Sequence, residues 1–242
     1  MQRRKFINRT ALSTAAMVGF PSIVPASVFG KDAPSNKINI GQIGCGRIAR
    51  DHDLADTIRF DQARIMAVCD LDSKRASDAK TLVDSFYKKK TGKEKYMDTK
   101  IYGDYHEMLS NKDVDAVIIS TPDHWHSQPA LEAALSGKDI YLQKPTSLTV
   151  KEGQQLRKVV QDTGVILQVG TQQRAMEQFR RAAELVRNGR IGKVHTVKIG
   201  LPGDPAGPEA PEMPVPSNLN FDMWLGSTPE VPYTEIGVHP QN

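Results

Sequence analysis

The sequence predicts an α/β protein whose first part is a doubly wound parallel sheet, followed by the beginning of an α+β domain that is incomplete here. Three observations carry this reading. Strand-like and helix-like segments alternate from residue 38 onward. The run Ala116 to Ser120 (Ala-Val-Ile-Ile-Ser) is continuously apolar up to its last residue, the mark of a strand buried on both faces. A glycine-rich turn, Gly44-Cys45-Gly46, joins the first strand to the first helix. Alternation of this kind builds a parallel sheet with helices on both sides.

The elements follow in order. Ile38 to Ile43 is a strand and Arg47 to Asp56 a helix. Ile65 to Cys69 is the second strand. Ser73 to Lys89 is a charged amphipathic helix with Asp72 or Ser73 as its N-cap. A short strand at Ile101-Tyr102 leads to a short helix, Tyr105 to Leu109. The buried strand at Ala116 is followed by a helix, Pro129 to Leu135, which Gly137 ends. Asp139 to Leu142 is a strand. Val150 to Gln161 is a helix capped by Thr149 and closed by Gly164. Val165 to Val169 completes six strands. Met176 to Asn188 is an amphipathic helix with Phe179, Ala182, Leu185 and Val186 on one face. Val194 to Ile199 reads as one more strand. Pro202 to Pro216 is rich in Pro and Gly and reads as loop. Phe221 to Leu225 is a short helical piece, and loop is expected from there to Asn242.

Composition narrows the function classes. The net charge is +4. The first thirty residues hold four basic side chains, Arg3, Arg4, Lys5 and Arg9, and no acid. Without them the chain carries 28 basic and 28 acidic residues. The body therefore lacks the basic excess that nucleic-acid binding exploits, and no nucleic-acid partner is expected. Residues 1–30 join a basic start to an apolar, small-residue stretch from Ala11. This is a secretory layout, and Arg3-Arg4 followed by Phe6-Ile7 resembles a twin-arginine export signal. An exported, periplasmic protein is expected. Pro21 and Pro25 interrupt the stretch, so no stable membrane span is expected. Residues 31–36 read as linker, 37–170 as a nucleotide-binding domain and 171–242 as the start of a second domain. Cys45 and Cys69 read as small buried hydrophobes rather than a disulfide.

The chemistry gathers at the carboxyl ends of the strands. Gly44-Cys45-Gly46-Arg47-Ile48-Ala49 is a dinucleotide fingerprint with Ala in the third small position. Gly44 permits the tight turn, Gly46 the approach of a pyrophosphate, and Ala49 close packing of helix on strand. The helix N-terminus offers unpaired N–H groups to phosphates. Asp70, at the end of the second strand, is placed to meet the adenosine ribose. A carboxylate there repels a 2′-phosphate and favours NAD over NADP, although Lys74 and Arg75 nearby could offset this. The alternative for Asp70 and Asp72 is a strand-end turn and helix cap. Ser120, Thr121, Pro122 and His126 follow the fourth strand and are expected beside the cofactor. His124 and His126 have no apparent third partner, so no metal is expected. Gln143-Lys144-Pro145 follows the fifth strand. Lys144 is the candidate catalytic residue, able to meet a substrate oxygen and the nicotinamide ribose, and burial would tune it. Gln173 and Arg174, after the sixth strand, are candidate substrate-binding residues.

These motifs, in this order, resemble the glucose–fructose oxidoreductase / inositol dehydrogenase / rhizopine-catabolism (Gfo/Idh/MocA) family. The match is carried by Gly44 to Ala49, Asp70, Thr121 to His126, Lys144-Pro145 and Gly170 to Arg174. The stretches Arg180 to Gly192 and Leu201 to Leu225 are similar to exported, sugar-acting members. The resemblance implies a Rossmann domain, an open-faced substrate domain, and hydride exchange between a tightly held NAD and a hydroxyl of a sugar or glycoside. It also implies homo-oligomers formed through the second domain when that domain is complete. Many members have Glu where this chain has Gln143. The family also places an Asp and an acid/base His in the second domain, beyond what this chain reaches, so truncation there is expected. A redox-neutral glycoside hydrolase that recycles its NAD, and a non-catalytic dinucleotide-binding fragment, are the alternative readings.

Overall fold

The computed structural model describes residues 36–92, 96, 98–201 and 210–238. The expected leader and most of the linker lie outside them. The body is built on six strands: β1 (Ile38–Ile43), β2 (Ala63–Cys69), β3 (Lys100–Tyr102), β4 (Ala116–Ile119), β5 (Asp139–Gln143) and β6 (Leu167–Gly170). They form one sheet in the order β3-β2-β1-β4-β5-β6, and every neighbouring pair is parallel. The order reverses direction between β1 and β4. Their carboxyl ends flank the crevice in which open α/β sheets bind ligands.

Helices cover both faces. The first, α1, runs as a π-helical turn at Ala49–Asp53 and continues as α-helix through Leu54–Thr57. Helix α2 (Ser73–Thr91) packs on the same face of the sheet. Leu54 and Ile58 meet Ile65, Val68 and Val83 there. The other face carries α3 (Tyr105–Leu109), α4 (Ser127–Leu135) and α5 (Val150–Thr163). Val117, Ile119 and Leu142 pack there with Met108, Ala133 and Leu156. Ile65 and Val68 share a face despite their odd spacing. The β1–β2 register slips between Ile40 and Gly41, which leaves Met66 as an extra residue in β2. The Tyr87 hydroxyl accepts from the Ile65 N–H at 2.9 Å within this irregular stretch.

The local sequence explains where helices begin and end. Asp72 accepts from the Lys74 and Arg75 N–H groups and caps α2. Thr149 and Glu152 form a capping box at the start of α5, and Gly164 closes that helix at φ +74°. The buried Lys138 spans out from the α4–β5 turn, and its Nζ donates to the Asn111 and Val114 carbonyls at 3.0 and 2.6 Å.

Beyond β6 the short α6 (Gln172–Ala175) precedes α7 (Glu177–Arg187), whose residues are all exposed. The strand expected at Val194–Ile199 is not formed; these residues are irregular and exposed. Among the described residues no neighbouring strand takes up their backbone N–H and C=O groups, and a lone strand has no stability of its own. Two further helices follow, α8 (Phe221–Leu225) as expected and α9 (Glu235–Val238) where loop was expected.

Candidate functional site

A cleft of about 300 Å³ opens at the carboxyl ends of β1, β2 and β4. Gly44, Gly46, Arg47 and Ile48 line it, as do Asp70 and Arg75 from the β2 side and Ser120, Thr121 and Pro122 from the β4 side. One crevice thus gathers most of the residues singled out in the sequence.

The glycine turn is shaped for a tight approach. Gly44 has φ +82°, a conformation that side chains rarely tolerate, and a Cβ added to it would stand 2.7 Å from the Ser120 carbonyl oxygen. At Gly46 an added Cβ would face the Arg75 guanidinium at 3.3 Å. The bare backbone at both positions leaves the cradle that a pyrophosphate needs, with the start of α1 and two guanidinium side chains, Arg47 and Arg75, at its edge. These residues fit a dinucleotide.

Asp70 stands at the cleft and in the turn that ends β2. It lines the cleft, and it also organises the backbone: one carboxylate oxygen accepts from the Cys45 N–H at 2.6 Å, the other from the Asp72 N–H at 2.9 Å. Burial pushes its carboxyl above the ordinary carboxylate range, opposed by those two N–H groups and by Arg75. Burial likewise draws the Arg75 guanidinium down, while Asp70 beside it acts in the opposite sense. Cys45 itself is buried, and its Sγ faces the Cys69 carbonyl at 3.5 Å. Both thiols are free and are pushed up by burial.

Behind the cleft lies a polar cluster that sequence reasoning missed. Asp53, delivered by the π-helical turn, accepts from the Ser120 hydroxyl at 2.6 Å and from Gln143 Nε2 at 2.9 Å. Gln42 Nε2 donates to the same Ser120 hydroxyl at 3.0 Å. Burial raises the Asp53 carboxyl, and the hydrogen bonds from Ser120 and Gln143 oppose that rise. Gln143, the departure from the family pattern, therefore has a carboxylate partner in Asp53. No sequence motif marks Asp53, because only the helix phase reveals where it points.

The remaining sequence candidates stand elsewhere. His126 is buried, its Nε2 facing the Thr121 carbonyl at 2.9 Å and its Nδ1 the Pro145 carbonyl. It ties the β4 loop to the β5 loop rather than lining the cleft. His124 turns instead toward the Trp224 carbonyl, 2.8 Å from its Nε2. Lys144 precedes a cis peptide bond to Pro145 and is exposed, outside the cleft lining. Gln173 and Arg174 sit on α6, also exposed and outside the cleft. Residues unforeseen from sequence also line the cleft, among them Met223 and Trp224 of α8. Among the described residues no cluster of His, Cys, Asp and Glu could hold a metal ion, and no helix is long and apolar enough to cross a membrane.

Comparison with known proteins agrees with this geometry. Residues 38–171 match the Gfo/Idh/MocA family, described as an oxidoreductase family with an NAD-binding Rossmann fold. The chain is 31% identical to the uncharacterized oxidoreductase YrbE of Bacillus subtilis, over 79% of this chain and 52% of that protein. It is 30% identical to the myo-inositol 2-dehydrogenase of Thermotoga maritima, over 78% of this chain and 52% of that one. Among solved structures it resembles the scyllo-inositol dehydrogenase of Lactobacillus casei, determined with bound NAD(H) and scyllo-inositol. The TM-score is 0.54 at 25% identity, covering 64% of this chain and 42% of the other. The chain spans about half the length of the curated relatives it matches. By the matched span, the parallel sheet and the glycine turn that opens its crevice, the chain belongs to the Gfo/Idh/MocA family of oxidoreductases.

Proposed function

We propose that the whole protein is an NAD-dependent oxidoreductase acting on a ring hydroxyl of a sugar or related polyol. The observation that carries the reading is the cleft: a glycine cradle at Gly44 and Gly46, with Asp70 beside it, at the switch point of the sheet. The relatives named for inositol oxidation support the substrate class.

The roles follow from position. The start of α1, with Gly44, Gly46, Arg47 and Ile48, holds the pyrophosphate. Asp70 receives the adenosine ribose, and its negative charge disfavours a 2′-phosphate, which supports NAD over NADP. Ser120, Thr121 and Pro122 flank the nicotinamide half. When bound, the nicotinamide supplies a hydride acceptor at its C4. Lys144 holds the substrate oxygen as the carbon becomes a carbonyl, the proton passing to the acid/base His that the family places in the second domain, and Gln173 and Arg174 bind the remaining hydroxyls. The basic and apolar leader supports export by the twin-arginine route, which a reporter fused to residues 1–30 would check.

Calorimetric titration of the chain with NAD and with NADP tests the cofactor assignment. Tighter binding of NAD is expected. Tighter binding of NADP overturns the role given to Asp70, and binding of neither overturns the site. For the complete protein, appearance of NADH with a panel of inositols and sugars tests the substrate class, and turnover of none of them would sink it.

A further inference from the structure

The cleft has a wall that the nucleotide-binding domain does not supply. Residues 216–238 cross it, tied down at both lips. On the β2 side the Asn220 N–H donates to the Leu71 carbonyl at 3.0 Å, and the Ser73 N–H to the Asn218 carbonyl at 2.9 Å. Asn218 Nδ2 donates to Asp72 Oδ1 at 2.7 Å, and Leu219 forms an antiparallel bridge with Asp72. On the β4 side the Trp224 carbonyl accepts from Trp125 Nε1 at 3.0 Å. Gly226 then passes so close to the Trp125 ring that an added Cβ would lie 2.7 Å from it. Between these anchors Met223 and Trp224 face the cleft. Leu219, Leu225 and Tyr233 are buried, so the crossing is packed down as well as hydrogen-bonded.

We infer that this crossing segment is the outer wall of the dinucleotide site and that a bound dinucleotide leaves only when the segment lifts. The inference rests on the cofactor reading above. The anchors join the loop that carries Asp70, at the adenosine end, to the loop after β4, at the nicotinamide end. A dinucleotide spanning those two loops lies beneath Met223 and Trp224. Release then requires loss of the lip hydrogen bonds in addition to the ligand's own contacts, which slows both entry and exit.

The chain has two tryptophans, Trp125 and Trp224, and both line the cleft. Energy transfer from them to bound NADH therefore reports occupancy directly. Stopped-flow mixing gives the association rate, and chasing the NADH complex with excess NAD gives the release rate. Asn218→Ala removes one lip anchor without touching the cleft, and should raise both rates by about tenfold with little change in affinity. Met223→Ala thins the wall, and should raise release by up to about tenfold while leaving association unchanged. Thermal melting by circular dichroism identifies any variant that fails to fold, and either variant alone suffices. Wild-type rates in every folded variant overturn the wall. Failure of the wild-type chain to bind NADH overturns the cofactor reading itself, and the inference with it.

Discussion

Two helices of this chain carry the same kind of amphipathic pattern and end in opposite situations. In α5 the apolar stripe meets α4 and the sheet. Leu156 is 1% exposed, and Val159 and Val160 pack beside it. In α7 the corresponding stripe stays open: Phe179 is 46% exposed, and Leu185 and Val186 are each 44% exposed. Apolar periodicity runs through both helices, although only α5 has a side-chain N-cap, and the difference in burial lies in what surrounds them. An apolar face is a demand for cover, and its energetic value appears only where another element meets that demand.

Substitutions can break this comparison. The largest effect is expected at Leu156→Ala, which should lower the unfolding free energy by about 2–5 kcal/mol in urea titrations. A much smaller loss would mean that the α4–α5 packing is not part of the cooperative core. Gly44→Ala comes next. The φ of +82° and the contact with Ser120 should lower stability by about 1–3 kcal/mol and abolish NADH binding, as read by tryptophan energy transfer. Retained binding at wild-type affinity would remove the glycine turn from the site.

Asp53→Asn sharpens the comparison within the body itself, where a polar cluster is buried beside apolar neighbours. The Asp53 carboxyl is raised in the fold above its ordinary value of 3.8. Its contribution to stability is therefore full below that value and is lost as pH rises through the raised one. The stability of the wild type relative to Asp53→Asn should grow as pH falls from neutrality toward 3.8, as followed by melting temperature. A pH-independent difference would show that Asp53 does not titrate over that range. The smallest effect belongs to α7: Leu185→Ala should stay within about 0.5 kcal/mol of wild type. A loss approaching that of Leu156→Ala would show that the α7 face is covered in solution.

The same contrast explains what was legible in the sequence. All six strands of the sheet are predicted from the alternation of strand-like and helix-like segments, and the glycine turn announces its own crevice. Thr149, Asp72 and Gly164 act in the capping roles that their residue types suggest. The strand expected at Val194–Ile199 failed because an apolar pattern carries no information about whether a partner strand is present. Met223 and Trp224 went unnoticed in the cleft because nothing local links α8 to a loop about 100 residues earlier. The position of Asp53 was hidden for a third reason, since reading α1 as a regular helix gives the wrong direction for one of its ends.

That irregularity has a consequence for how the site and the core are made compatible. A π-helical turn holds one more residue than an α-turn, which rotates everything beyond it by about 100° relative to an unbroken helix. The amino end of α1 must aim at the glycine turn, and its carboxyl end must place Leu54 and Ile58 against the sheet. The extra residue at Ala49–Asp53 acts as a phase adjuster between these two requirements. Deleting one residue there would regularise the helix and still be destructive, because cofactor cradle and hydrophobic face could no longer point correctly at once.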